Sequence, residues 1–248
     1  MQTSNKNSRD KLIFALDLGE DIDEAIRWVD LLHDHVGMFK VGKEAFTRFG
    51  TPIVSHILER GGNVFLDLKF HDIPNTVAQA AEAAVKLGIS MFNIHALGGR
   101  KMMERAVDSV KNTARIMGIE PPVLLAVTVL TSLDDSDLEE IGVQCSTREL
   151  VLRLAVLAKN AGVPGVVASA QDIGPIREAC GKDFIIVTPG IRLGDTVTGD
   201  DQKRVLTPRD AISRGADYIV VGRPIRMADD PTAAADRISE EISKGLAS

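Results

Sequence analysis

Cysteine is scarce in this chain, with two in 248 residues. Cys145 and Cys180 stand far apart, with neither a CxxC pair nor Cys/His ligand spacing around them, which argues against a zinc site or a disulfide framework. Such sparse use of cysteine fits a reducing compartment, and a cytoplasmic protein is expected. Long apolar runs are missing as well. Continuous hydrophobic stretches are of the size of VLLAV, Val123 to Val127, far short of the ~20 residues that cross a bilayer as a helix. The opening MQTSNKNSRDK is polar and has no apolar targeting core. Residues 1–11 therefore read as a polar tail, and no membrane span or anchor is expected. Positive charge is not in excess either: 29 basic against 35 acidic residues give a formal net charge of −6. No global field would draw the protein to nucleic acid or an anionic membrane, so an anionic ligand must be held by a local cluster of cations.

What is present is the composition of a folded globular chain, 44% hydrophobic and 26% charged. Short β-branched or aromatic runs recur along it: Leu12 to Leu18, Met38 to Gly42, Asn63 to Phe70, Met91 to Leu97, Pro122 to Leu130, Gly165 to Ser169, Phe184 to Gly190 and Tyr218 to Arg223. Helical patterns, with apolar residues three and four apart, lie between them, as in Asp23 to His35, Thr76 to Leu87, Lys101 to Arg115, Arg148 to Ala161 and Thr232 to Lys244. Alternation of strand and helix implies a parallel sheet, because parallel neighbours need a crossover. Eight such units in this length predict an α/β fold, a (β/α)₈ TIM barrel filling residues 12–248 as one domain. The rival, an open doubly wound sheet, lacks its GxGxxG fingerprint after the first strand, and no Pro/Gly/Ser linker divides the chain.

A barrel places its reactive groups at the C-terminal ends of its strands, and several of these runs carry polar residues there. Asp17 closes the first, Lys40 lies in the second, Asp67 and Lys69 in the third with Asp72 beyond, and His95 in the fourth. Thr131 and Ser132 follow the fifth, and Gly222 and Arg223 end the last. Side chains alternate along a strand, so Val64, Leu66, Leu68 and Phe70 form an apolar face for the helices while Phe65, Asp67 and Lys69 face the barrel interior. Lys40 faces away from Phe39 and Val41 and is expected to join them. Ionised groups there are costly to desolvate unless paired, so Asp17, Lys40, Asp67, Lys69 and Asp72 are expected to converge. His95 is expected to be a hydrogen-bonded core histidine, with Asn93 on its face, and His71 to serve the scaffold.

The 17 residues from Ile191 to Thr207, IRLGDTVTGDDQKRVLT, form a second anomaly, since βα loops usually have about 2–6 residues. Arg192, Gln202, Lys203 and Arg204 lie in it, and Gly222 and Arg223 follow on the last strand. Loops after strands 7 and 8 are the usual phosphate site of this architecture, where glycine admits the backbone and arginine supplies a bidentate fork.

Asp17, Lys40, DLKFHDIPNT (Asp67 to Thr76), TVLTS (Thr128 to Ser132), TPGIR (Thr188 to Arg192), GDDQKRV (Gly199 to Val205) and VVGRPI (Val220 to Ile225) together resemble the bacterial-type orotidine 5′-phosphate decarboxylases, from about Leu12 to Ile242. The resemblance implies decarboxylation of orotidine 5′-monophosphate to uridine 5′-monophosphate, the last step of de novo uridylate synthesis, without metal or organic cofactor, in a homodimer with active sites at the subunit interface. It also implies that Lys69 protonates C6 and that Asp67 lies against the departing carboxylate. Lys40 and Asp72 would complete the charge network, with Asp72 and Thr76 given by the partner subunit. Asp17 and Lys40 would bind ribose hydroxyls, Thr131 the pyrimidine, and Arg192, Gln202, Gly222 and Arg223 the phosphate. Read from the residues alone, other options stay open: a magnesium enzyme using two aspartates as ligands, a Schiff-base aldolase on Lys40 or Lys69, and a catalytically silent nucleotide-binding barrel.

Overall fold

A computed structural model describes residues 8–17, 21–192 and 206–248. Eight parallel strands close into a barrel, β1 Leu12–Ala15, β2 Met38–Gly42, β3 Val64–Phe70, β4 Met91–His95, β5 Val123–Val127, β6 Gly165–Val167, β7 Ile185–Pro189 and β8 Tyr218–Val221. Each pairs with the next and β8 returns to β1. All the predicted strands form. Most are shorter than their apolar runs at the C-terminal end, where residues such as Asp17, Thr128, Ser169 and Gly222 leave the ladder and turn into the mouth.

The main crossover helices are α1 Ile22–Leu32, α2 Lys43–Phe49, α3 Thr51–Glu59, α4 Pro74–Lys86, α5 Gly99–Met117, α6 Asp135–Glu140, α7 Thr147–Asn160, α8 Ile173–Cys180, α9 Pro208–Ser213, α10 Arg223–Arg226 and α11 Pro231–Leu246. Local chemistry fixes their starts. Asp21, Ser146, Thr207 and Asp230 each accept a backbone N–H of the first turn, and such caps contribute about 1 kcal/mol apiece. In α5 the buried positions Met102, Met103, Ala106, Val107 and Val110 recur every three or four residues, so one stripe faces the sheet.

Strand alternation sorts the core into two layers. Phe14, Phe39, Leu66 and Phe92 point outwards and pack with helix residues such as Val29, Ile53, Met103 and Ile238. Ile13, Met38, Phe65, Met91, Leu125, Val187 and Val220 point inwards and plug the barrel; each such side chain stabilises the fold by ~1.5–3 kcal/mol. The plug is tight: a Cβ on Gly165 would overlap the backbone of Ile185 on the neighbouring strand.

At the base, where the strands begin, Arg177 of α8 reaches the carbonyls of Gly181 (2.9 Å), Lys182 (2.9 Å) and Phe184 (2.6 Å), and Asp217 Oδ2 (2.8 Å). That Asp217 oxygen also accepts the Ile186 N–H at 2.8 Å. Lys11 adds a bond to the Asp217 carbonyl at 3.2 Å, so residues 8–11 of the polar N-terminal stretch lie against the barrel floor, with Ser8 fully buried.

Candidate active site

Two residues further along each inward-facing row, the plug gives way to different chemistry. Lys40 follows Met38, Asp67 follows Phe65 and Asn93 follows Met91, whereas Val127, Val167 and Pro189 occupy the other half. The floor of the mouth is therefore charged on one side and apolar on the other.

On the charged side Lys40 Nζ lies 3.0 Å from Asp17 Oδ1 and 3.4 Å from Asp67 Oδ2, and Lys69 Nζ lies 2.7 Å from Asp67 Oδ1. The row alternates in sign from the half-exposed Asp17 to the buried centre. Asp67 is the hub, its side chain 13% exposed. Burial pushes its carboxyl up, yet the charges of Lys40 and Lys69, with hydrogen bonds from Lys69 and Asn93, outweigh that and hold it below the ordinary carboxylate value. Because both of its oxygens face ammonium groups, Asp67 is poorly arranged as a metal ligand. Among the described residues no group of three or more His, Cys, Asp or Glu could hold a metal ion.

The backbone beneath this row departs from simple alternation. Lys69 has φ 52°, the one positive value at a non-glycine among the described residues, a conformation that costs on the order of 1–2 kcal/mol. The β3–β4 register runs from Leu66↔Phe92 to Phe70↔Ile94, four residues against two. The bulge turns Lys69 towards Asp67, so the expected facing holds although the regular pleat that suggested it does not.

The expectation that Asp72 joins the cluster is not met within one chain. Among the described residues its exposed carboxylate accepts the Ile73 N–H at 2.6 Å and forms no ion pair with Lys40 or Lys69, because it sits where the chain turns outwards into α4. Thr76 is exposed in the first turn of α4, and Thr131 is exposed in the turn after β5. His95 also differs from expectation: its ring stacks on His71 with centroids 5.3 Å apart, and among the described residues its buried Nδ1 has no hydrogen-bond partner. Desolvation first, then the neighbouring His71, Lys43 and Lys69, lower its pKa to about 4.

A cleft leads from Asp17 and Lys40 to Arg192, Gly222 and Arg223, lined also by Pro189 and Pro224. Arg226 borders it and donates to the Asp17 carbonyl at 2.6 Å. The two ends of the long loop meet here, with the Arg192 N–H donating to the Leu206 carbonyl at 3.3 Å. Gln202, Lys203 and Arg204 lie outside the described residues. Three site residues escaped the sequence reading. Asn93 was noted only as a neighbour of His95, Arg226 falls three residues past the Gly222–Arg223 signal, and Gly42 lies where a Cβ would stand 3.0 Å from Lys40 Nζ and 3.1 Å from Asp17 Oδ1.

Comparison with known proteins places this architecture in a family. The model of the "Orotidine 5'-phosphate decarboxylase / HUMPS family" matches residues 10–238. The orotidine 5'-phosphate decarboxylase of Syntrophus aciditrophicus (strain SB) is 63% identical over 243 residues, covering 98% of this chain and 97% of the relative. That of Syntrophotalea carbinolica is 54% identical over 239 residues, 96% and 97% of the two chains. The crystal structure of orotidine 5'-phosphate decarboxylase from Lactobacillus acidophilus superposes with a TM-score of 0.82 at 40% identity, covering 93% of this chain and 97% of that one. Matched along nearly its whole length, the chain belongs to the orotidine 5'-phosphate decarboxylase / HUMPS family.

Proposed function

We propose that this protein decarboxylates orotidine 5′-monophosphate to uridine 5′-monophosphate, the closing step of uridylate synthesis, and that it does so with fixed charge in place of a metal or organic cofactor. The observation that carries this reading is the Asp17–Lys40–Asp67–Lys69 row, whose outer members Asp17 and Lys40 line the same cleft as Arg192 and Arg223. Such a cleft fits a ligand with a phosphate at one end and an anionic reacting centre at the other.

The chemistry asks for such a site. When the C6–carboxylate bond breaks, its electron pair stays on C6 in the ring plane, where no adjacent carbonyl delocalises it. The Lys69 ammonium, paired with Asp67, attracts this developing charge more strongly than the ground state, which is preferential stabilisation of the transition state. A proton then passes from Lys69 Nζ to C6, CO₂ departs, and the amine regains a proton from water. Asp67 orients Lys69 and lies against the leaving carboxylate, whose repulsion is relieved as CO₂ forms. Lys40 and Asp17 take the ribose hydroxyls, Thr131 meets the pyrimidine, and Arg192, Gln202, Gly222 and Arg223 hold the phosphate. Rate accelerations of enzymes reach about 10¹⁷-fold, ~23 kcal/mol, more than two charges supply. Binding of the remote phosphate, with closure of the 191–207 loop over it, supplies part of the remainder.

Asp72 and Thr76 act in this reading on the partner's site of a homodimer. Support comes from their exposure beside the mouth, from Ile73 and Leu97, 66% and 48% exposed beside them, and from an adjoining groove lined by Ile73, Pro74, Lys101 and Arg105. No helix among the described residues is long and apolar enough to cross a membrane, and both cysteines are free, which suits work in the cytoplasm. The test is loss of orotidylate absorbance with EDTA present. Turnover that persists in the chelator supports the reading, and turnover that requires added magnesium overturns the cofactor-free part. For the dimer, mixed Lys69→Ala and Asp72→Asn proteins should regain activity that neither has alone. A fully active monomer in sedimentation contradicts the shared site.

A further inference from the structure

The inner row of β4 runs Met91, Asn93, His95, and the middle position is the exception within the plug. Asn93 is completely buried at a site where its neighbours across the interior are apolar. A buried carboxamide is costly unless both ends are satisfied, and here both are. The four-against-two register between β3 and β4 leaves Asp67, Leu68 and Lys69 between the paired positions, so the Lys69 N–H lacks a regular ladder partner. Asn93 Oδ1 accepts it at 2.7 Å. At its other end Asn93 Nδ2 donates to Asp67 Oδ1 at 2.7 Å, the same oxygen that takes Lys69 Nζ at 2.7 Å. The amide can point only one way, since its reverse would set oxygen against carboxylate and N–H against N–H.

We infer that Asn93 is a positioning residue for the reaction: one side chain clamps Lys69 twice, through its strained backbone N–H and through the carboxylate that pairs its ammonium. The clamp fixes the left-handed conformation of Lys69 and gives Asp67 a donor that does not compete with substrate. This rests on the reading above, in which Lys69 serves the reacting carbon. Asn93 touches no substrate and works through its neighbours.

The near-isosteric Asn93→Leu removes both bonds, and Asn93→Asp keeps the acceptor for the Lys69 N–H while losing the donor to Asp67. In Asn93→Leu, kcat is expected to fall on the order of 10²-fold, the scale of a slightly misplaced reactive group, while KM, set mainly by the phosphate end, stays within about threefold of the unmodified protein. The acid limb of kcat moves to higher pH in both variants, because Asp67 loses a hydrogen bond that favours its ionised form. Carboxylate ¹³C NMR follows the Asp67 midpoint, and the Lys69 amide ¹H shift reports its bond; both are read without turnover. The amide shift should change in Asn93→Leu and persist in Asn93→Asp, whereas the Asp67 midpoint should rise in both. If the unmodified protein does not decarboxylate orotidylate, the functional reading fails and the NMR titration still tests the clamp. A folded Asn93→Leu with kcat within twofold and an unmoved Asp67 midpoint overturns the inference, as does a loss confined to KM. Should Asn93→Leu not fold, Asn93→Asp decides the matter, an unchanged Asp67 midpoint counting against the clamp.

Discussion

A basic side chain meets a carboxylate at each end of this barrel, and the two arrangements use their hydrogen-bond donors differently. At the base, Arg177 distributes its guanidinium over Asp217 and the carbonyls of Gly181, Lys182, Phe184 and Gly215, so both terminal nitrogens of its planar fork are saturated by the chain itself. At the mouth, an ammonium has three N–H donors, and among the described residues Lys69 gives one, to Asp67. The saturated pair joins the starts of neighbouring strands. The unsaturated one leaves donors for something that arrives from solution. Burial alone does not separate them, since the Arg177 and Lys69 side chains are 20% and 25% exposed; donor occupancy does.

This contrast can be broken by exchanging its consequences. Arg223→Ala at the mouth should lower kcat/KM on the order of 10³-fold with little change in Tm, and added phosphite should rescue turnover of a phosphate-free substrate by the unmodified protein. Gln202→Ala, in the long segment after β7, should lower kcat/KM by ~10–100-fold in the same assay; unchanged kinetics in both variants would discard the proposed closure of that segment. Arg177→Met at the base should do the reverse. It leaves Asp217 without its cation and costs about 2–4 kcal/mol of stability by denaturant titration, while kcat at a temperature where the variant is folded stays within about twofold. A comparable loss of kcat there would show that the base is not merely structural.

The smallest expected effect is a pH slope from His95. Its pKa is about 4 in the fold against an ordinary 6.5, so between these values the unfolded chain binds a proton that the folded chain does not. Stability therefore rises with pH across that window and is lower at its acid end. His95→Phe should flatten the slope in urea titrations at pH 4.5 and 6.5. Asp67 has the same sense at lower pH: with its pKa lowered below 3.8, its contribution is present above that value and is lost as pH falls through the lower, folded one.

Much of the barrel was legible because its signal is a period. Alternation in VFLDLKF assigned Leu66 to the helices and Asp67 to the interior, and three- and four-residue spacing found α5. The charged row was legible for a related reason, since Lys40 and Asp67 interrupt runs that are otherwise apolar. What stayed hidden depends on geometry without a period. The bulge at Lys69 arises from pairing with β4, a non-local event. Asn93 looks like a neutral residue in a strand until that bulge gives it two partners, and Gly42 matters only because its missing Cβ makes room for Lys40 and Asp17. Asp72 could be found as a residue, but its outward turn became visible only once α4 was placed.

In the proposed mechanism the unsaturated ammonium of Lys69 makes the mouth a decarboxylase site. Its most direct test is turnover of orotidine 5′-monophosphate by the unmodified protein and by Lys69→Ala, side by side with EDTA present, together with uridine 5′-monophosphate binding by both. Rapid loss of substrate is expected with the first, and loss slower by at least about 10⁵-fold with a folded Lys69→Ala that still binds the product. A Lys69→Ala protein that turns over within tenfold of the unmodified one would contradict the mechanism.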